Sequence, residues 1–179
     1  MRENINNFKE FSDKIKIEII REIDNESCVD VLFSNFKNLV SSKDELFKKI
    51  QPRLNNGLSI CLKKDEFVIG VYLLNNKSIN SFITDIRRDI VSDFPSNTTK
   101  ITLYEDLSDN GLQGIALSVL LEYRGNGYGE MLKKYTYKLG YDYIWGVQDK
   151  KLKNIEKWTR TRKIFAESPN RYATYIKLT

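Results

Sequence analysis

The sequence predicts a fold of the α/β class (α+β), with helices flanking one central sheet. Strand-like alternation and helical spacing follow one another along the whole chain. The apolar run 114–121 leads into a glycine-rich segment, 124–129, and a helical pattern then covers 130–139. With 179 residues, 41% of them hydrophobic and 30% charged, we expect a polar lead-in over 1–13 and a single globular domain over 14–179.

The first third of the chain predicts one strand and two helices. Period-two alternation over 14–23 indicates a strand, and helical spacing of apolar residues over 28–40 indicates an amphipathic helix. Ser42 and Glu45 form the S-x-x-E pattern of a capping box, which predicts the start of a second helix. The Asn-Asn-Gly sequence at 55–57 predicts its end.

The middle of the chain predicts a hairpin and a further helix. Strand patterns over 58–64 and 67–74 flank a short turn at Asp65-Glu66. Apolar residues at helical spacing then follow Ser78 as far as Val91. We interpret this helix as a core-packing element in preference to one that contacts an acceptor substrate.

The remaining elements follow the same two periods. They are a strand over 100–107, a turn over 108–111, the central strand over 114–121, a helix over 130–139, a strand over 141–147, a helix over 151–165 and a final strand over 171–178.

The glycine-rich segment predicts an anion site. Gly125, Gly127 and Gly129 free the backbone to turn tightly, and the helix that follows starts with unpaired N–H groups and a positive dipole. No Lys-Ser/Thr pair follows the glycines, and their G-x-G-x-G spacing differs from the dinucleotide fingerprint, so the segment is neither a Walker A loop nor a Rossmann loop. A kinase would need a histidine in its catalytic loop, and this chain has none.

The segment resembles the acetyl-CoA loop of the GNAT superfamily of N-acetyltransferases. In that motif a strand ends in apolar-x-Val-x-Pro, and Arg/Gln-x-x-Gly-x-Gly/Ala then opens a helix. Val119, Arg124, Gly127 and Gly129 match the motif, and Leu121 replaces its proline. The resemblance implies a mixed, mostly antiparallel sheet, with the helix over 78–92 as an insertion before the central strand.

The resemblance also implies acetyl-CoA as the cosubstrate and a set of residues that bind it. Leu117, Val119 and Leu120 would bind the pantetheine arm through backbone groups, and an N–H near Val119-Leu120 would polarise the thioester carbonyl. The amides from Arg124 to Gly129 would bind the pyrophosphate. The full set of expected cofactor-binding residues is Leu117, Val119, Leu120, Arg124, Gly125, Asn126, Gly127, Tyr128, Gly129 and Asn154.

Two positions depart from the family pattern where catalytic residues are expected. Gln113 stands where some family members have a glutamate base, and Thr161 stands where many have a tyrosine acid. Other side chains would have to supply these groups. Glu105, Asp106 and Glu122 are the candidate bases, and Tyr172 and Tyr175 are the candidate acids.

The predicted activity is direct transfer of an acetyl group from acetyl-CoA to a primary amine of a small molecule or a protein. One alternative is a non-catalytic module of the same fold that binds CoA. Another is a protein that associates with nucleic acid through the basic stretch 150–163, in which Trp158 is interleaved with lysines and arginines. Residues 1–123 carry a net charge of −3 and residues 124–179 one of +8, which favours an anionic ligand near the glycine loop.

The amino-acid composition excludes some kinds of catalytic site and indicates a cellular compartment. The absence of histidine excludes Ser-His-Asp and Cys-His catalysis, and two cysteines cannot complete a zinc site, so no metal is expected. Cys28 and Cys61 lie in apolar patterns and are expected to be buried thiols. The sequence contains no apolar run long enough for a membrane span and no signal peptide, so we expect a cytoplasmic protein.

Overall fold

The computed structural model describes residues 15–103, 105–152 and 160–178. Its strands are β1 (Ile15–Ile19), β2 (Ile60–Lys64), β3 (Phe67–Asn76), β4 (Lys100–Ile101), β5 (Gly111–Val119), β6 (Tyr143–Asp149), β7 (Lys163–Glu167) and β8 (Arg171–Lys177). Its helices are α1 (Asn25–Phe36), α2 (Lys43–Leu54), α3 (Ile79–Arg87) and α4 (Tyr128–Tyr135).

The strands form an eight-stranded sheet in the order β1-β2-β3-β5-β6-β8-β7-β4. The pairs β1–β2, β2–β3, β6–β8, β7–β8 and β4–β7 are antiparallel, whereas β5 and β6 are parallel. The predicted α/β class, the mostly antiparallel sheet and the extra helix before the central strand are therefore confirmed.

Two predicted elements differ from the structure. The strand predicted over 100–107 is only two residues long, because β4 pairs with β7 at Lys100 and Ile101 alone. The helix predicted over 151–165 is wrong at its end, where Lys163–Glu167 is strand β7. Phe165, the last residue of the predicted helix, lies in this strand and is fully buried. Residues 153–159 of that predicted helix lie outside the described ranges.

The chain divides into two compact units, and the first comprises residues up to Leu74 together with Ala116–Tyr135. Its core contains Val31 and Leu32 of α1, Leu46 and Leu54 of α2, and Val71 of β3. Cys28 and Cys61 are free and fully buried in the same core, which confirms the prediction of buried thiols. A hydrogen bond between the two thiols, together with burial, raises the pKa of Cys28 far above its ordinary value.

Local capping signals fix where two helices begin. Ser42 Oγ accepts a hydrogen bond from the Glu45 N–H at 3.1 Å, as the capping-box pattern predicts. The Glu45 carboxylate accepts from the N–H of Ser41 at 2.8 Å. Ser78 Oγ accepts from the Ser81 N–H at 3.2 Å and starts α3 in the same way.

The second unit comprises Asn75–Ile115 and Thr136–Thr179 and has an aromatic core. Trp145 is fully buried, with its ring centroid 4.7 Å from that of Phe82 and 5.8 Å from that of Phe165. The four buried apolar residues of α3 are Ile79, Phe82, Ile83 and Ile86. All four belong to this core, which supports the interpretation of α3 as a packing helix.

Within the described ranges, no helix combines the length and the apolar character that crossing a bilayer requires.

Candidate functional site

The glycine loop joins the end of β5 to the start of α4, as predicted. Gly125 and Gly127 have φ angles of +82° and +78°, in the left-handed region that side chains disfavour, and no atom lies within 4 Å of the Cβ that either position lacks. These two glycines are therefore required by backbone conformation and not by crowding. Asn126 Nδ2 donates to the Tyr123 carbonyl at 3.1 Å, so that its side chain closes the turn.

The loop presents a run of unpaired N–H groups. The Met131 N–H donates to the Gly127 carbonyl at 3.0 Å and makes the first hydrogen bond of α4. No acceptor in the described residues receives the backbone N–H groups from Asn126 to Glu130. Five consecutive donors at a helix start form an anion-binding site. The loop therefore offers backbone donors of a kind that suits an anionic group.

The end of β5 is held by side chains as well as by the sheet. The Leu120 N–H donates to the Ile69 carbonyl of β3 at 2.9 Å, while Arg124 Nε donates to the Val119 carbonyl at 3.1 Å. Both the carbonyl and the N–H of the Val119–Leu120 peptide group therefore have hydrogen-bond partners. Of the two N–H groups near Val119-Leu120 that were expected to face the thioester, that of Leu120 is therefore already engaged. Consecutive N–H groups of an extended chain point in opposite directions, so that of Val119 points away from β3.

Sequence reasoning missed one residue at this strand end. Asn35, in the last turn of α1, donates from Nδ2 to the Val119 carbonyl at 3.2 Å and also lies within hydrogen-bond distance of Ser118 Oγ. Ser118 is buried, and its hydroxyl donates to the Val31 carbonyl of α1 at 3.0 Å. No local signal identifies Asn35 as a contact of this strand, because Ser118 and Val119 lie more than 80 residues further along the chain.

Strand β5 pairs with β6 over three positions only, from Gly111 to Gln113. Gln113 lies at the last paired position, opposite Trp145, and its Oε1 accepts a hydrogen bond from Asn75 Nδ2 at 3.3 Å. The side-chain amide is thus held in place, although it cannot act as a base at neutral pH.

Two of the predicted catalytic residues form a charged cluster in the second unit. The Glu105 carboxylate accepts from Lys163 at 2.8 Å and from the Tyr175 hydroxyl at 2.7 Å, and it lies 2.5 Å from Lys177 Nζ. These hydrogen bonds lower the pKa of Glu105 from about 4.5 to about 2. Tyr175 is 1% exposed. The arrangement favours a structural ion pair and does not favour Glu105 as a general base.

The other predicted site residues do not belong to the Glu105 cluster. Glu122 is exposed in the turn Leu121–Tyr123, next to the glycine loop. Asp106 lines a small cavity with Lys177. The ring of Tyr172 lies 4.5 Å from Lys150 Nζ. Asn154 and Trp158 lie outside the described residues.

We expect the Glu105 cluster to stabilise the fold in a pH-dependent manner. Because the folded-state pKa lies below the ordinary value, the stabilisation is present above about pH 4.5 and is lost as the pH falls towards about 2. Acid titration of the unfolding midpoint should therefore show a steeper loss over this interval for the wild type than for Glu105→Gln. Equal slopes for the wild type and Glu105→Gln would mean that the Glu105 cluster does not contribute to stability over this pH interval. Asp93→Asn serves as a control, because Asp93 is half exposed and lies 3.8 Å from Arg171.

No group of three or more potential metal-ligating side chains occurs in the part of the chain that the structure describes.

The sequence matches no protein-family model and no curated protein, whereas many solved structures share its fold. A GNAT family acetyltransferase from Bacillus cereus ATCC 10987 aligns over 91% of this chain and 96% of its own, with a TM-score of 0.61 and 11% identity. The PaiA N-acetyltransferase of Thermoplasma acidophilum, solved with coenzyme A, aligns over 91% of this chain and 98% of its own, with a TM-score of 0.55 and 14% identity.

A third structure, a GNAT family acetyltransferase from Brucella melitensis solved with acetyl-CoA, aligns over 92% of this chain and 88% of its own. Its TM-score is 0.54 and its identity 14%. Each of the three alignments covers more than nine tenths of this chain. The chain has the fold of the GNAT family of acetyltransferases.

Proposed function

We propose that this protein is an acetyl-CoA-dependent N-acetyltransferase that acts on a primary amine. The observation that carries the proposal is the run of N–H groups from Asn126 to Glu130, which has no acceptor in the described residues and begins a helix. A pyrophosphate supplies several oxygens to such a run, and the helix dipole favours its negative charge. The complexes of fold relatives with coenzyme A and acetyl-CoA support the same ligand.

The proposed reaction needs no covalent enzyme intermediate. The neutral amine nitrogen attacks the thioester carbonyl, and the carbonyl oxygen becomes an oxyanion. The Val119 N–H is the donor we assign to that oxygen, since the N–H of Leu120 is already bonded to Ile69. Collapse of the tetrahedral intermediate breaks the carbon–sulfur bond. The nitrogen loses a proton, the CoA thiolate gains one, and an amide and free CoA are formed.

The proposed mechanism also needs a base that removes a proton from the amine. At pH 7, on the order of one alkylamine molecule in a thousand is neutral, because the pKa of such an amine is about 10.4. Its deprotonation must therefore be assisted. Glu105 binds two lysines and a tyrosine, and Gln113 carries an amide. We propose Glu122, in the turn beside the loop, as the carboxylate to test first, acting directly or through a water. We keep Tyr172 as the candidate acid.

The test is an acetyl-transfer assay with several classes of primary amine, namely an alkyl diamine, free lysine and a peptide with a lysine side chain. Release of the CoA thiol that depends on the amine, with an acetylated product in the mass spectrum, would support the proposal. Binding of acetyl-CoA without amine-dependent thiol release from any of the three would contradict it.

A non-catalytic CoA-binding module is the second candidate. Two observations favour it: the glutamine at position 113 and the engagement of Glu105 in ion pairs. The two candidates predict the same cofactor affinity and differ only in turnover. The nucleic-acid alternative rests on the stretch 150–163, and the described lysines at its two ends are both paired, Lys150 with Glu167 and Lys163 with Glu105. We therefore do not propose it.

A further inference from the structure

Asn35 makes an unusual link between α1 and the end of β5. Its amide nitrogen lies 3.2 Å from the Val31 carbonyl of its own helix and 3.2 Å from the Val119 carbonyl, and it also reaches Ser118 Oγ. A side-chain amide has two N–H donors, so both are directed into this small set of oxygens. Two of the three acceptors belong to the strand that carries the proposed carbonyl-polarising N–H.

The Val119–Leu120 peptide group is fixed from three directions. Asn35 donates to its carbonyl oxygen from α1, Arg124 Nε donates to the same oxygen from the glycine loop, and its N–H donates to Ile69 of β3. Such a peptide group cannot rotate without breaking at least one of these bonds. The orientation of this peptide plane determines the ψ angle of Val119. The backbone next to the Val119 N–H therefore has little freedom to rotate.

Ser118 adds a second tether to the same turn of α1. The Ser118 hydroxyl is buried and donates to the Val31 carbonyl, the carbonyl that Asn35 also reaches. The Val119 carbonyl and the Ser118 side chain are therefore both tied to the same turn of α1. An oxyanion donor is effective only when it is held within about 0.5 Å and 10–20° of its productive direction.

We propose that Asn35 is a positioning residue, which holds the Val119–Leu120 peptide group so that the Val119 N–H points at the thioester carbonyl. This proposal rests on the proposed function. Asn35 does not contact the cosubstrate in this account, and its effect on the reacting carbonyl passes through the backbone of Val119. The phosphate-binding loop does not depend on it, because the loop N–H groups are held by the turn and by α4.

The test uses acetyl-CoA labelled isotopically at its carbonyl carbon, and it measures the infrared stretching frequency of that carbonyl in the bound complex. A hydrogen bond to the carbonyl lowers this frequency. Asn35→Asp keeps the shape of the side chain but replaces its two donors by acceptors. Asn38→Asp is the matched control, because it makes the same change of charge at an exposed position two residues beyond α1.

We expect the wild type and Asn38→Asp to show the same lowered frequency. For Asn35→Asp we expect most of that shift to be lost, while the dissociation constant of acetyl-CoA changes by no more than about threefold. With an amine that supports turnover, kcat should fall by about tenfold or more for Asn35→Asp. A purely structural role would lower the thermal midpoint and leave the frequency of the bound carbonyl unchanged.

An unchanged carbonyl frequency in Asn35→Asp would overturn the proposal. If that variant does not fold, Asn35→Ala removes the donors without adding a charge and is judged by the same measurement. Failure of the underlying function is distinguishable, because the wild type would then not bind acetyl-CoA, or would bind it without any shift of the carbonyl frequency.

Discussion

Replacement of Gly129 by glutamate should abolish measurable acetyl-CoA binding and leave the free energy of unfolding close to that of the wild type. Gly129 lies in the first turn of α4, its φ is not left-handed, and an added Cβ would meet only Leu117 Cδ2 at 3.8 Å. The backbone therefore accepts a side chain there. A carboxylate in a first helical turn also has favourable electrostatics in the absence of ligand.

The loss of binding follows from charge and position. The new carboxylate competes with the pyrophosphate for the same N–H groups. Two like charges about 4 Å apart repel by about 4 kcal/mol at an effective dielectric constant of about 20, which corresponds to an affinity about a thousandfold weaker. Calorimetric titration with acetyl-CoA measures this loss of affinity directly.

Gly129→Gln is the control for this prediction, because it adds a side chain of the same size without charge and should weaken binding less. Gly127 is a poorer choice, since its φ of +78° makes any side chain strained whether or not ligand is present. Wild-type affinity in a folded Gly129→Glu variant would mean that the pyrophosphate does not bind at this loop.

The second large effect concerns stability. Trp145→Ala should lower the free energy of unfolding by about 3–5 kcal/mol, as expected for removal of a large aromatic side chain from a core. Trp145 is fully buried and packs against Phe82 and Phe165. Its indole Nε1 also donates to the Lys77 carbonyl at 2.6 Å, so the substitution leaves a partly buried acceptor without this partner.

Chemical denaturation followed by circular dichroism measures this loss. Ile90→Ala is the control, because Ile90 is 64% exposed and its truncation should change the free energy of unfolding by no more than about 0.5 kcal/mol. A loss below about 1 kcal/mol for Trp145→Ala would contradict the packing of α3 against this side chain.

Elements with strong local signals could be predicted from the sequence. The two serine caps, the buried cysteines and the strand–loop–helix sequence around Gly125 and Gly127 all depend on residues that are close together in the chain. The three glycines of the loop predict a tight backbone turn, and the structure has left-handed backbone at two of them, Gly125 and Gly127.

Features that depend on distant partners could not be predicted. β4 is short because only two of its residues pair with β7, which lies more than 60 residues away in sequence. The helical spacing that included Phe165 was misleading, because that side chain is buried in an aromatic core as part of a strand. Asn35 and the ion pairs of Glu105 likewise depend on residues brought together by the fold.

Calorimetric titration of the purified chain with acetyl-CoA, with free CoA and ATP as comparison ligands, tests the proposed cosubstrate site. We expect acetyl-CoA and CoA to bind and ATP not to bind, because the loop would act together with the end of β5 that we propose to bind the pantetheine arm. No heat of binding from acetyl-CoA at millimolar concentration, with the protein shown to be folded, would contradict this expectation.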